Sequence, residues 1–217
     1  MFYQFRDSGL PPLMIKSPVT ERVGRRQETP LGRENFPPAG PPSYLTCLIT
    51  FSCYGHHLHG DVRGSVDLAH NTPGTPLRPA ESALEKFERG EMKEPAYLLD
   101  ARRREVVLGA IIEVCRHRGW LLLAAHIRET HLHIVGDGEC TPENMMGDFK
   151  RYASRALNAA GLDGGRQHRW ARHGSTRILR DGETRERAIR YVLEKQGAPM
   201  AVYVLPGQRA PLPSRLP

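Results

Sequence analysis

Three residues of this chain have types and spacings that can do chemistry together: His131, His133 and Tyr191. The histidines stand in Thr130-His131-Leu132-His133-Ile134-Val135. Side chains alternate along a strand, so the two imidazoles share one face while Leu132 and Ile134 point to the other. Two imidazoles so placed can grip one metal ion, although two histidines on a half-exposed strand also serve as ordinary polar surface. Tyr191 lies near the end of a helix expected over residues 183 to 196, stopped by Gly197 and Pro199. There Ala188, Ile189, Val192 and Leu193 make one apolar arc, and Tyr191 falls roughly 130° from its centre. A core tyrosine would sit inside that arc, so this one is directed to solvent or to a site on the sheet. A phenol is a weak nucleophile at neutral pH, and a metal ion that polarises a phosphodiester makes covalent attack feasible.

The charge of the chain points to a partner for such a site. The formal net charge is +7. Between Lys150 and Arg190 there are eleven Lys/Arg and four Asp/Glu, so this segment alone carries the whole excess. Phosphate backbones are bound chiefly by Lys and Arg, which favours a nucleic-acid face over a merely solvated one. Lys150, Arg151, Arg172, His173, Ser175 and Arg177 are the candidate DNA contacts, although a polar edge strand would look the same. Tyr54 and Trp170 can stack bases or pack in the core, and Glu129 is near enough in sequence to assist a metal or simply to solvate a hairpin tip.

The elements that must position these residues follow from the pattern. Residues 1–43 are rich in Pro, Gly and Arg and read as a disordered extension. Tyr44 to Phe51 is apolar, β-branched and aromatic, a strand. A glycine-punctuated loop with His56, His57 and His59 follows and reads as substrate-contacting; its histidines and Cys53 match no structural zinc spacing. A short helix is expected over 81–90. Asp100 caps a helix over 101–118 that Gly119 ends. Strands at 120–127 and 131–136 are joined by a hairpin at Arg128-Glu129-Thr130. Thr141 caps a helix from Pro142 to about Ala160, and the latter half of Trp170 to Leu179 is a fourth strand. The order β, α, β, β, α, β is the split βαβ pattern of an α+β, ferredoxin-like fold. It predicts an antiparallel sheet with helices on one face, the first and third strands central, and a C-terminal helix carrying the tyrosine. Residues 205–217 read as a Pro-rich tail. The four cysteines show no CxxC spacing and read as reduced, and the N-terminus lacks the pattern of a secretory signal, so a cytoplasmic protein with no membrane span is expected.

His131-Leu132-His133, the helix after it, Trp170 to Ile178 and Arg190-Tyr191-Val192-Leu193 together resemble the single-tyrosine HUH transposases, of the insertion-sequence-200-like and REP-associated tyrosine transposase type. The resemblance covers about residues 44–204. It implies a ferredoxin-like catalytic domain in which His131 and His133 bind Mg²⁺ or Mn²⁺. It further implies that Tyr191 attacks single-stranded or hairpin DNA, leaving a 5′-phosphotyrosine and a free 3′-OH, and it leans towards a homodimer. The family commonly supplies an Asn or Gln as third metal ligand one turn beyond the tyrosine. Here that place holds Lys195, a cation that cannot ligate while protonated, so Glu194 or Gln196 would have to substitute. Thr130 stands where the family often has Asn. Two other readings follow from the same residues. One is a decayed or domesticated nucleic-acid-binding module of the same fold, which Lys195 favours. The other is a small two-histidine phosphohydrolase, which Val135 disfavours by occupying the place of a third alternating histidine.

Overall fold

The computed structural model describes residues 44–62, 64–65 and 76–207. The extension expected over 1–43, most of the tail from 208 onward and the middle of the long loop lie outside these residues. The strands are β1 (Leu45–Ser52), β2 (Leu121–Ile127), β3 (His131–Gly138), β4 (Ser175–Ile178) and β5 (Ala201–Val204). The helices are α1 (Ser82–Gly90), α2 (Ala101–Arg118), α3 (Pro142–Ala159) and α4 (Gly182–Glu194). All strand pairs are antiparallel, in the order β4-β1-β3-β2-β5, so β3 is the central strand. The α+β class, the antiparallel sheet and the mid-sheet position of the His-Leu-His segment are as the pattern predicts.

Local chemistry sets the helix ends. The Asp100 side chain accepts from the Arg103 N–H and the Thr141 hydroxyl from the Asn144 N–H, each satisfying one of the donors a helix start leaves open. Gly119 ends α2 at φ 69°, in the left-handed region that glycine enters without a Cβ clash. Asp181 and Thr184 form a reciprocal capping box at the start of α4.

The two faces of the sheet are covered differently. Helices α2 and α3 pack on one face over Cys47, Ile49, Phe51, Leu132 and Ile134, which form the main core with Ile111, Met145 and Phe149. On the other face α4 lies over β2 and β3, and Ala188, Ile189 and Val192 pack with Leu123, Val135 and Leu179 in a smaller cluster. A bulge puts Leu123 and Ala124 together on that face, because Leu122 pairs with Gly136 while Ala124 pairs with Val135. The bulge restores the alternation that aims His126 at the α4 side. Strand β4 reaches the edge of β1 through Gly174, where an added Cβ would come within 2.6 Å of the Thr50 carbonyl oxygen.

Strand β5 is the element the sequence pattern does not anticipate. It is four residues long, starts two residues after Pro199, and among the described residues pairs only with the outer edge of β2. Trp170 belongs to the core: it meets Phe51 and Tyr97 edge-on and donates its indole N–H to the Ser154 hydroxyl and the Lys150 carbonyl. Tyr54 stacks on His168 and its hydroxyl accepts from the Lys93 N–H. Among the described residues no helix is long and apolar enough to cross a membrane.

Candidate active site

The strand alternation brings His131 and His133 to the α4 face, with ring centroids 4.9 Å apart. Each ring has its Nδ1 occupied by a threonine hydroxyl. Thr50, the direct cross-strand neighbour of His133, meets it at 2.8 Å, and Thr130 meets His131 at 3.0 Å. With Nδ1 of each ring on a hydroxyl, Nε2 is the nitrogen left for a ligand, and the hydroxyls fix the ring orientations in the manner of outer-shell partners of metal-bound histidines. Burial, followed by repulsion from His57 for His131 and from His131 for His133, pushes both imidazoles down to about 4. They are neutral at pH 7, the state in which imidazole ligates a cation.

Helix α4 carries Tyr191 over this pair. The tyrosine ring lies 5.4 Å from the His133 ring, nearly perpendicular to it, and remains 42% exposed. The angular argument from sequence left two directions for this side chain, and the fold gives it part of each: one edge to the histidine, the rest to solvent. The helix end is held by His126, which is fully buried and pairs across the sheet with His133. Its Nε2 accepts from the Met200 N–H at 3.2 Å, so Nδ1 carries the proton and donates to the Val192 carbonyl at 3.1 Å. One imidazole thereby ties β2 to the residue after Tyr191 and to the chain entering β5. Burial lowers its pKa below the usual histidine range, which keeps this neutral bridge in place.

The three residues from the last of the helix onward, Glu194, Lys195 and Gln196, separate as candidates for a third donor. Lys195 is the exposed C-cap of α4, its N–H on the Tyr191 carbonyl. Glu194 is exposed. Gln196 is half-buried just past the helix: its side chain favours the protonated form of both His131 and His133, as a hydrogen-bond acceptor does, and its Nε2 donates to the Tyr191 carbonyl at 3.4 Å. Among the described residues no three or more His, Cys, Asp and Glu cluster as metal ligands do. A cation here would therefore draw on two imidazoles and an amide oxygen. That donor set fits a divalent ion of intermediate hardness, such as Mn²⁺, better than Mg²⁺, which prefers an all-oxygen shell.

The other residues singled out from sequence are scattered. The Lys150 ammonium is committed inside the fold, where it donates to the carbonyls of Ala171, Arg172 and His173 and lies 5.2 Å from the Phe51 ring centroid. The expectation that it faces DNA is corrected on that ground. Its pKa is lowered to about 8 by burial. Arg151 is on the α3 face and pairs with Asp148. Arg172 and His173 are exposed on the loop before β4, and Ser175 and Arg177 line a cleft that ends at His133 and Tyr191. Glu129 is exposed at the hairpin. Cys53 is buried with its thiol pushed up to about 12 by desolvation, which disqualifies it as a thiolate ligand.

Sequence reasoning did not find Thr50, His126 or the closeness of His57 to His131. The first two act across strands, through pairings that a linear pattern does not display. His57 has a positive φ of 56°, uncommon outside glycine, and its ring lies 6.2 Å from that of His131.

No family model and no curated protein matches the chain. Among solved structures it is similar to that of a REP-associated tyrosine transposase bound to a REP hairpin, with a TM-score of 0.41 and 13% identity over 69% of this chain. The similar part spans 64% of that protein, just under two thirds of its length.

Proposed function

We propose that this chain cleaves and rejoins single-stranded or hairpin DNA through a covalent bond to Tyr191, with a divalent cation held by His131, His133 and Gln196. The observation that carries the reading is the convergence of a half-exposed tyrosine and an amide on two neutral imidazoles whose Nδ1 atoms are already engaged by threonine hydroxyls. Protonated histidines in that place would repel a cation.

The chemistry divides among named groups. The Tyr191 oxygen attacks phosphorus; an O–P bond forms, the bond to the 3′ oxygen breaks, and the phenolic proton passes to water while the departing 3′ oxygen takes one up. The cation, when bound, supplies Lewis-acid polarisation of the phosphodiester. Thr50 and Thr130 keep the imidazoles oriented, and His126 holds the backbone that carries Tyr191. Ser175 and Arg177, which line the cleft, and the exposed Arg172 and His173 on the loop before β4 meet the flanking phosphates, with Arg151 an accessory contact from the α3 face. Rejoining is the same step in reverse, with a 3′-OH as nucleophile and the phenolate as leaving group.

Labelled single-stranded and hairpin oligonucleotides incubated with the full chain and Mn²⁺ test this. A denaturant-resistant protein–DNA adduct is expected, absent from Tyr191→Phe and suppressed by a chelator. No adduct from the wild-type chain, or an undiminished one from Tyr191→Phe, overturns the mechanism.

A further inference from the structure

Beside the candidate site runs a cleft of about 730 Å³ that the cleavage chemistry does not itself require. One wall is α4, which presents Thr184, Arg187, Ala188 and Tyr191, a helical stripe at i, i+3, i+4 and i+7. The opposite wall and floor come from the edge of the sheet, where Leu48 pairs with Arg177 and Thr50 with Ser175. Tyr191 and His133, the residues of the candidate site, are part of its lining.

Its chemistry is mixed in a specific way. Leu48, Leu179 and Ala188 belong to the small apolar cluster under α4, and they leave an apolar surface inside the cleft. Two guanidiniums stand at its sides. The Arg177 guanidinium makes no hydrogen bond or ion pair with any described residue, and that of Arg187 makes only a surface pair with Glu183 at 3.4 Å among them. A ligand that satisfies both features has a flat apolar body and negative charge at its edges, which describes a nucleotide. The volume lies within the usual range of ligand pockets, roughly 300–1,000 Å³.

We infer that this cleft receives one unstacked base of the DNA strand next to the phosphate that Tyr191 attacks, with Arg177 and Arg187 on the phosphates either side of that base. The inference rests on the strand-cleavage reading. It adds that the enzyme distinguishes a single strand from a duplex by requiring a base free to leave its stack. A base held in a duplex cannot enter, because the apolar surface is reached only between α4 and the sheet edge and a paired base is not free to leave its stack. A single strand presents such a base at little cost, and bases gain affinity from contact with apolar and aromatic side chains.

The test compares two probes of the same length and charge: a fluorescent thymidine strand of about twenty nucleotides, and the same phosphodiester backbone with every base replaced by an abasic spacer. By anisotropy at fixed salt, without metal, the wild-type chain is expected to bind the thymidine strand about tenfold more tightly, the size of one well-packed base contact. Ser175→Trp fills the cleft from its exposed rim and is expected to erase that ratio. Should this variant melt far below the wild type, Arg187→Trp fills the same space from the solvent side of α4. Arg177→Ala is expected to weaken both probes. Equal wild-type affinity for the two probes, or a preference that survives both cleft-filling substitutions, overturns the inference. The adduct assay separates the two failures: adduct without base preference sinks the cleft alone, whereas base preference lost on filling the cleft, without adduct, sinks the chemistry and leaves the cleft standing.

Discussion

The two faces of the one sheet repay comparison, because the same strands build both. On the face under α2 and α3, β1 and β3 present Ile49, Phe51, Leu132 and Ile134, all essentially inaccessible, and two 18-residue helices cover them. On the other face the alternate positions of those strands are Leu48, Thr50, His131, His133 and Val135, covered in part by the 13-residue α4. One face holds the protein together; the other is left incomplete, with neutral polar rings, a cleft and a half-exposed tyrosine. The division teaches that stability and proposed function are carried by alternate residues of the same strand, so substitutions one position apart should fail in different ways.

The largest stability effect should come from the covered face. Phe149 is fully buried on α3 and meets the Trp120 ring edge-on at 5.9 Å. Phe149→Ala removes that contact and leaves a void among rigid neighbours, at a cost of about 3–5 kcal/mol. A urea titration should show this as a large fall in midpoint, with His131 and His133 untouched. A loss under about 1 kcal/mol would mean that the α3 face is not the principal core.

His126 sits between the two behaviours and comes next in size. His126→Ala leaves the Val192 carbonyl and the Met200 N–H without their shared partner, a loss of roughly 2 kcal/mol. It also releases the chain that sets the height of Tyr191, so adduct formation should fall further than DNA affinity does. A proportional loss of both would reduce His126 to a stability role.

How much of this was legible in the sequence depends on whether the signal was local. The capping residues Asp100 and Thr141, the glycine stop at Gly119 and the alternation at 131–134 are read within a few residues, and the helices and central strand follow from them. Strand β5 was not legible: four residues after a proline carry too little periodicity, and only the exposed edge of β2 makes them a strand. Lys150 was misread because a lysine on a basic helix looks solvated. Its three carbonyl partners belong to a loop 21 to 23 residues away, whose path no local pattern specifies. The replacement of Lys195 by Gln196 at the imidazoles depends on where α4 ends, and helix ends are the least sharply encoded feature of a helix.

Acidification probes the open face without mutation. His131 and His133 titrate near 4 in the folded chain and near the ordinary histidine value of about 6.5 when unfolded. Between these values the unfolded chain binds more protons, so stability falls as pH drops from about 6.5 towards 4 and levels off below. The loss should be on the order of 3 kcal/mol, about what one ring displaced by this much contributes, since the two rings titrate as a coupled pair and their shifts do not simply add. His133→Ala should flatten the stability profile over that window, whereas Phe149→Ala should shift it down without changing its shape.

The smallest stability effect, and the sharpest contrast, is expected at the end of α4. Gln196→Ala removes a partly exposed amide whose hydrogen bond to the Tyr191 carbonyl is long, 3.4 Å, so the stability should move by no more than a surface substitution allows, within about 0.5 kcal/mol. Its reach to both imidazoles gives the same change a large consequence for metal: the concentration of Mn²⁺ needed for half-maximal adduct should rise by at least about tenfold, as loss of a partner at a metal site does. Lys195→Ala, one residue earlier and exposed at the helix cap, should leave both quantities unchanged. If instead Lys195→Ala raises the metal requirement and Gln196→Ala does not, the amide is not a ligand and the open face holds its cation with the two imidazoles and water alone.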